Sequence, residues 1–358
     1  MKYWIGYLFA ALLAVATFAL QQFARAHTVL VDMVYPYISR LIQTVLAEFS
    51  SQVSFSLWQA LLLGGIAIVL ALVVLAIIFR WNPIRAGGWL LTVVAFIGFL
   101  NVGVFGLNRY AGNLADDIRL TTVGYSDEEL QAATNYFRLQ AEQLAGQISR
   151  DKNGSAQYAS FEELANSAGQ GFRTLVRKHS YSVFGGSLLP VKKLAGSGYY
   201  ATRGISGITV GLTGEASVNP LLPDVYLPFA MCQEMAKRMS IVSQRDSGFS
   251  AFLACRVNDS AEFRYSGYLM ALRYCRDAIA LQGLPFGNLS NHLKTDLAAC
   301  DAFFKNTESD TTQLEVADML VAWYIQEIYL PDHTEEAQEF DPLDETQVDL
   351  SGIVNAKK

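Results

Sequence analysis

The stretch VYLPFAMCQEMAKRM, residues 225–239, contains the polar residues on which the prediction of fold and function depends. Pro228 suits the first turn of a helix, where the missing proline N–H costs no hydrogen bond. Most of the residues after it are good helix formers. The stretch therefore predicts a helix that begins near Pro228. On such a helix Gln233, Glu234 and Lys237 lie close together, because one turn takes about 3.6 residues.

The segment Gln233-Glu234-x-x-Lys237 differs from the zinc-peptidase motif H-E-x-x-H only at the two histidine positions. In that motif two imidazoles one turn apart bind the metal, and the glutamate acts as general base on the metal-bound water. Here the glutamate is kept and both imidazoles are missing. The segment is therefore either a degenerate metal site or a chance match, and the surrounding sequence has to decide between them.

The first third of the chain predicts a membrane domain over residues 1–110. Three apolar segments, at about 3–20, 60–79 and 87–107, are long enough to cross a hydrocarbon core of about 30 Å. The first segment also fits a signal peptide that ends in Ala-Arg-Ala, but its apolar run exceeds the usual length of about 7–15 residues. We therefore favour a retained anchor. Residues 28–49 carry apolar side chains every three or four positions, which predicts an interfacial helix along the membrane or against the outer domain.

The distribution of charge predicts the orientation in the membrane. Residues 1–110 hold six basic and two acidic residues, a net charge of +4, so the remaining residues carry −10 of the total of −6. The short loop between Arg80 and Arg85 is basic and belongs on the cytoplasmic side. The N-terminus is then cytoplasmic and everything after residue 107 is extracytoplasmic. An acidic outer part argues against nucleic-acid binding, which leaves the lipid bilayer as the first predicted partner.

Residues 111–330 have the composition of a mainly helical (α+β) outer domain. Capping boxes at Ser126 and Ser160 predict helices to about residues 149 and 179. Glycine-rich residues 180–219 lack helical periodicity, and their best strand is 208–210. The later helices are predicted at about 249–257, 265–281, 290–304 and 312–330. Residues 331–358 are strongly acidic and are predicted to form a flexible tail.

Four short motifs carry a resemblance to a known family. They are TGEASVN at 213–219, CQEMAK at 232–237, FSAFLAC at 249–255 and YSGY at 265–268. With the three N-terminal spans, their order and spacing resemble the bacterial membrane proteins of domain-of-unknown-function family 3810. Members of that family look like gluzincin-type zinc metallopeptidases anchored by three helices. The resemblance covers the chain up to about residue 331 and implies a zincin-like outer domain on the bacterial inner membrane.

Matching the motifs without gaps assigns the family's functional positions to this chain. The two metal-binding histidines fall on Gln233 and Lys237, the catalytic glutamate on Glu234, and the presumed third ligand, a glutamate, on Asp246. A zinc peptidase needs three ligands with lone pairs and one open position for water. The Lys237 ammonium has no acceptor, and the Gln233 amide oxygen is a weak ligand. We therefore expect no metal and no cofactor here, although zinc is implied for related members.

Two hypotheses address Lys237. Because Glu234 and Lys237 are three residues apart on one helix, their side chains can meet. In the first hypothesis Lys237 neutralises Glu234, Asp246 or both, and an ion pair stands where the metal stood. In the second, Lys237 extends to solvent from a helix that no longer carries a site. The sequence does not decide between them.

The remaining candidates each have a structural alternative. Glu215 and Asn219, before the helix, are candidates for lining a cleft, as an edge strand that binds peptide does, or for forming a polar turn. Tyr265 and Tyr268 are candidates for the same cleft or for packing between helices. Cys275 and Cys300 fall on successive predicted helices outside the cytoplasm, where a disulfide can persist. The alternative for this pair is two buried thiols.

The sequence thus predicts a membrane-anchored, metallopeptidase-like protein whose enzymatic activity is in question. The first hypothesis is a pseudopeptidase that binds or scaffolds a peptide or protein partner outside the cytoplasm. The second is an active membrane-bound hydrolase that uses Glu234 with a non-standard metal site. A partner, a substrate and an oligomeric state are not specified by the sequence.

Overall fold

A computed structural model describes residues 3–122, 124–152, 154–305 and 310–331. Within these residues the chain is mainly helical, with one small sheet. The predicted fold class, α-helical with a minor β element, is therefore confirmed. The predicted flexible tail lies outside the described residues, apart from Pro331.

Four N-terminal helices are long and apolar enough to cross a membrane, which indicates a multi-pass membrane protein. They are α1 (Ile5–Ala26), α2 (Thr28–Ser51), α3 (Leu57–Ile78) and α4 (Pro83–Val104). Helices α1 and α4 approach closely where glycines meet, because a Cβ on Gly6 would lie 2.5 Å from the carbonyl carbon of Gly88. The Thr92 hydroxyl donates to the Gly6 carbonyl at 2.6 Å. Helix α3 buries none of its residues.

Helix α2, predicted as interfacial, has two different faces. Ser39, Gln43 and Ala47 are buried, and the Gln43 side-chain amide donates to the carbonyl of Gly211 in the outer domain at 2.9 Å. The other face is apolar and exposed, and it includes Met33 and Tyr37. By length and composition alone α2 is a fourth candidate span, in addition to the three that the sequence predicted.

The outer domain contains nine further helices among the described residues. They are α5 (Leu114–Asp117), α6 (Asp127–Ala145), α7 (Phe161–His179), α8 (Ser197–Ala201), α9 (Leu227–Arg238), α10 (Gln244–Arg256), α11 (Ala261–Leu281), α12 (Asn291–Phe304) and α13 (Asp310–Tyr324). Both predicted capping boxes are present, at Ser126 and Ser160. Helix α6 ends four residues before the predicted position at 149, and α10 begins five residues before the predicted 249.

The sheet has three short strands, β1 (Lys192–Lys193), β2 (Gly207–Val210) and β3 (Glu215–Val218), in the order β1-β3-β2. Strand β1 is parallel to β3, and β2 is antiparallel to it, with Thr209 opposite Ala216. Strand β3 is therefore central and entirely buried, whereas β2 lies at an edge of the sheet. The strand predicted at 208–210 is confirmed.

The core of the outer domain forms around α9, α10 and α11, which are largely buried. Helices α7 and α10 pack closely, because a Cβ on Gly171 would lie 2.0 Å from the Ala254 carbonyl oxygen. A cluster of aromatic rings, which includes Phe137, Phe252 and Trp323, joins α6, α10 and α13. Burial of such large apolar side chains is the main force that holds these helices together.

Candidate functional site

Helix α9 lies against the sheet and between other helices of the domain. Pro228 is in its first turn, as the sequence predicted. Every residue of the helix is buried except Lys237, which is partly exposed. A helix buried on nearly all sides holds its polar side chains in fixed positions, because they must find partners within the protein. The hydrogen-bond and ion-pair partners of Gln233, Glu234 and Lys237 therefore determine what chemistry these side chains can perform.

The Glu234 carboxylate has a partner at each oxygen. Lys237 Nζ lies 2.7 Å from Oε1, and the Thr209 hydroxyl donates to Oε2 at 2.8 Å. The carboxylate is fully buried, with 1% of its side chain exposed. Gly207 of β2 permits this close packing of strand and helix, because a Cβ there would lie 2.5 Å from Glu234 Cγ. The ion pair that the first hypothesis for Lys237 predicts is therefore present at Glu234.

The Gln233 side chain points towards α10 instead. Its amide nitrogen donates to the side-chain oxygen of Gln244 at 3.1 Å, and Gly248 is the next close neighbour. Gln233 and Lys237 therefore have different surroundings. Gln233 pairs with a neutral amide, and Lys237 pairs with a carboxylate.

Asp246 is in the first turn of α10, near the helix N-terminus that Ser243 caps. Its backbone N–H donates to Ser243 Oγ, and its carboxylate accepts from Arg245 Nε, each at 2.9 Å. Asp246 is thus neutralised by Arg245 rather than by Lys237. Among the described residues, Gln233, Lys237 and Asp246 do not share a contact.

These residues do not fit a zinc ion. In the part of the chain that the structure describes, no group of three or more His, Cys, Asp or Glu side chains could hold a metal. Zinc sites in proteins use imidazole, thiolate and carboxylate ligands, and an ammonium has no lone pair to donate. Lys237 is instead paired with one oxygen of the Glu234 carboxylate.

Glu215 and Asn219 are buried in structural roles. Glu215, on the central strand, accepts the backbone N–H groups of Leu57 at 2.9 Å and Trp58 at 2.7 Å, which are the first residues of α3. It also forms a salt bridge with Lys192. Asn219 donates to the carbonyls of Ser197 and Ile205. The edge strand that we expected at Glu215 is in fact the centre of the sheet.

Tyr265 and Tyr268 pack inside the domain rather than in a cleft. The Tyr265 hydroxyl donates to Asp296, and Arg150 Nη2 lies 2.8 Å from the same carboxylate. Burial, followed by the charge of Asp296, raises the pKa of Tyr265 well above its ordinary value. Tyr268 contacts the aromatic cluster around Phe252. Both tyrosines therefore support helix packing.

The predicted disulfide between Cys275 and Cys300 is not formed, and both residues are buried thiols. The two side chains have different surroundings. Cys275, on α11, lies near the acidic side chains of Asp277 and Asp318, whereas Cys300, on α12, is close to Tyr158. This matches the alternative of two buried thiols and corrects the disulfide hypothesis.

The sequence analysis missed a cavity of about 620 Å³ between α2, the segment after α4 and the turn after α9. Thr209 and Asp246 reach its wall, together with Arg40 of α2 and Asp117 of α5. Glu234 and Lys237 do not line it. A signal for the cavity existed in the sequence, since Pro36 and the charged Arg40 both lie within helix α2, most of whose residues are apolar. The sequence alone did not show that Pro36 and Arg40 face a cavity, because the outer domain forms the other walls.

Comparison with known proteins supplies one match. A family model described as "Protein of unknown function (DUF3810)" matches residues 31–320. No curated protein and no solved structure matches this chain. The matched residues extend from α2 to α13, so they include the sheet, the Glu234–Lys237 pair and most of the cavity wall.

Proposed function

The chain belongs to the DUF3810 family, and on that premise we propose that it is a membrane-anchored, metallopeptidase-like protein that acts by binding and has no peptidase activity. The observation that carries this proposal is the contact between Lys237 and Glu234 at 2.7 Å. Within the gluzincin-like resemblance, this pair stands where an active member would keep a metal and its general base.

The chemistry of peptide hydrolysis supports the absence of activity. A general base must be within hydrogen-bond reach of the water whose proton it takes. Both Glu234 oxygens already accept hydrogen bonds, from Lys237 and Thr209, and the carboxylate is shielded from solvent. Glu234 therefore suits a structural ion pair better than catalysis.

Two features support a position of the outer domain beside the membrane. Helix α2 turns a polar face, including Gln43, to the domain, and much of the rest of its surface is apolar and exposed. This is the pattern of a helix that lies in the membrane interface. At the start of α3, Glu215 binds the first backbone N–H groups and ties that helix to the sheet. With a cytoplasmic N-terminus, as the basic loop predicts, these features face the outer surface of the bacterial inner membrane.

The resemblance implies that the bound partner is a peptide or a protein. The alternative proposal, a hydrolase that uses Glu234 with a non-standard metal site, makes the opposite prediction for turnover.

The full-length protein in detergent micelles is incubated with a quenched fluorescent peptide library, beside its Glu234→Gln variant. We expect equal background rates for the two proteins. A rate that is present in the wild type and lost in Glu234→Gln would establish the hydrolase.

A further inference from the structure

The cavity of about 620 Å³ continues into a smaller one of about 240 Å³. Asp32, Pro36, Arg40 and Asp117 line both, so the two form adjoining compartments along α2. Sites for small ligands commonly enclose about 300–1,000 Å³. The larger compartment is therefore of a size that holds a headgroup or a short peptide.

Five charged side chains line these walls; among the described residues Asp246 pairs with Arg245, whereas Asp32, Arg40, Arg109 and Asp117 form no ion pair. Arg40 is 9% exposed, and its guanidinium donates only to backbone carbonyls, those of Met239 at 3.4 Å and Ser182 at 3.1 Å. Among the described residues, no carboxylate lies within 4.0 Å of Arg40, and Asp117 has no salt bridge. Partial desolvation and the Asp32 carboxylate raise the pKa of Asp117, while the charge of Arg40 lowers it. Arg40 and Asp117 therefore interact electrostatically without forming an ion pair.

Unused hydrogen-bonding groups lie on the same walls. In the described part of the chain, Asn108 Oδ1 and Ser240 Oγ have no hydrogen-bond partner, and both residues are at least 94% buried. Pro36 has no N–H, so the carbonyl oxygen of Asp32 lacks its helical donor. A buried polar group without a partner is destabilising, and a ligand or water that supplies the missing hydrogen bond removes that cost.

The smaller compartment connects these polar walls to the apolar face of α2. Met33 and Tyr37 line it together with Ser182 and Val183 of the outer domain, and they are 68% and 61% exposed. A ligand with its polar end between Arg40 and Asp117 would leave past these two side chains. Its outer part would then lie along the membrane-facing surface of α2, where only an apolar group is stable.

We propose that this cavity binds the headgroup of a phospholipid that carries a phosphate next to a primary ammonium. The phosphate is held by Arg40, whose planar guanidinium suits phosphate oxygens. The ammonium is held by Asp117 and Asn108, and the acyl chains leave past Met33 and Tyr37. A primary ammonium has three N–H donors for these acceptors, whereas a quaternary ammonium has none. This inference goes beyond the proposed function, because it adds a lipid ligand at a cavity that Glu234 and Lys237 do not line.

The test uses the full-length protein in detergent and dihexanoyl phosphatidylethanolamine as the probe, with binding measured by native mass spectrometry. Phosphatidylcholine and phosphatidylglycerol with the same chains are the comparison lipids. The Asp117→Asn variant removes the charge without a loss of packing. Asp116→Asn is its matched control, because Asp116 is the neighbouring carboxylate on the same helix, is exposed like Asp117, and does not line the cavity.

We expect phosphatidylethanolamine to bind at least about tenfold more tightly than either comparison lipid, since a charged hydrogen bond contributes roughly that factor. Asp117→Asn should abolish this preference and Asp116→Asn should keep it. Equal binding of the three lipids, or equal effects of the two variants, would overturn the proposal.

Two soluble probes test the lipid assignment itself. Phosphoethanolamine has the headgroup without chains, and trialanine has an ammonium and a carboxylate. If either bound as tightly as the lipid, the site would be one for a soluble solute or a peptide, and the lipid assignment would be wrong. These outcomes leave the proposed lack of peptidase activity untouched, because that proposal depends on Glu234 and Lys237 and is tested by turnover.

Discussion

Lys237 Nζ lies 2.7 Å from Glu234 Oε1, one helical turn along α9, and no other residue of that helix is exposed to solvent. The contact places an ammonium on a fully buried carboxylate. A buried carboxylate without a partner is costly, so it needs a compensating charge. Lys237 supplies that charge, and Thr209 satisfies the second oxygen.

Replacement of Lys237 by Met should destabilise the protein. Loss of one partner of a buried ion pair costs about 3–5 kcal/mol, and partial exposure of Lys237 reduces this to about 2–3 kcal/mol. The melting temperature of the full-length protein in detergent measures the effect. Lys193→Met is the matched control, because its ion pair with Glu162 is exposed and contributes little.

The double variant Glu234→Gln/Lys237→Met separates the ion pair from side-chain packing. Because it leaves no unpaired buried charge, it should recover part of the stability that Lys237→Met loses. If Lys237→Met melted at the same temperature as Lys193→Met, Lys237 would merely extend to solvent. The first hypothesis for this residue would then be abandoned.

Replacement of Glu215 by Gln should loosen the start of α3. Glu215 accepts the N–H groups of Leu57 and Trp58 and pairs with Lys192, so the amide would keep one acceptor and lose the charge. A carboxylate at a helix N-terminus is stabilising, and its charged hydrogen bonds are stronger than neutral ones. We expect hydrogen exchange at the amides of Leu57 and Trp58 to become roughly tenfold faster, which corresponds to about 1.4 kcal/mol.

Glu48→Gln is the control for this measurement, since Glu48 is exposed on α2. Unchanged exchange at Leu57 and Trp58 in Glu215→Gln would show that other contacts hold the start of α3. The side chain of Gln59 is the first of these, because it exchanges two hydrogen bonds with the backbone of Ala195.

The cysteines should be reduced and unreactive in the folded protein. All four are buried, and burial raises the pKa of Cys255 and Cys275 well above the ordinary value, so little reactive thiolate is present. A maleimide should label none of them before unfolding and all four after unfolding without reductant, as measured by mass spectrometry. If two cysteines remained unlabelled after unfolding, the hypothesis of a Cys275–Cys300 disulfide would be supported.

Local signals predicted much of the fold. The capping boxes at Ser126 and Ser160 fixed two helix starts, because such caps depend on residues three positions apart. The apolar segments predicted the helices of the membrane domain by length alone. Helix α10 starts earlier than predicted because Ser243 caps it at a position without apolar periodicity.

Contacts between distant segments were not predictable. Glu215 caps the N-terminus of α3 although it lies 158 residues from Leu57 in the sequence. No residue near Glu215 in the sequence indicates this contact. The Glu234–Lys237 contact was foreseen because both residues lie on one helix. Asp246 was expected beside Glu234 and Lys237 from the motif spacing, yet its carboxylate pairs with Arg245 instead. The cavity required α2, α5 and the turn after α9 to be brought together, which only tertiary packing specifies.

The zinc content of the purified full-length protein tests the central claim most directly. After incubation with excess zinc and removal of unbound ion, metal is measured per chain by mass spectrometry, for the wild type and for Glu234→Gln. Because Lys237 occupies the Glu234 carboxylate and Gln233 pairs with Gln244, we expect far less than one zinc per chain in both. One zinc per wild-type chain, lost in Glu234→Gln, would contradict the account.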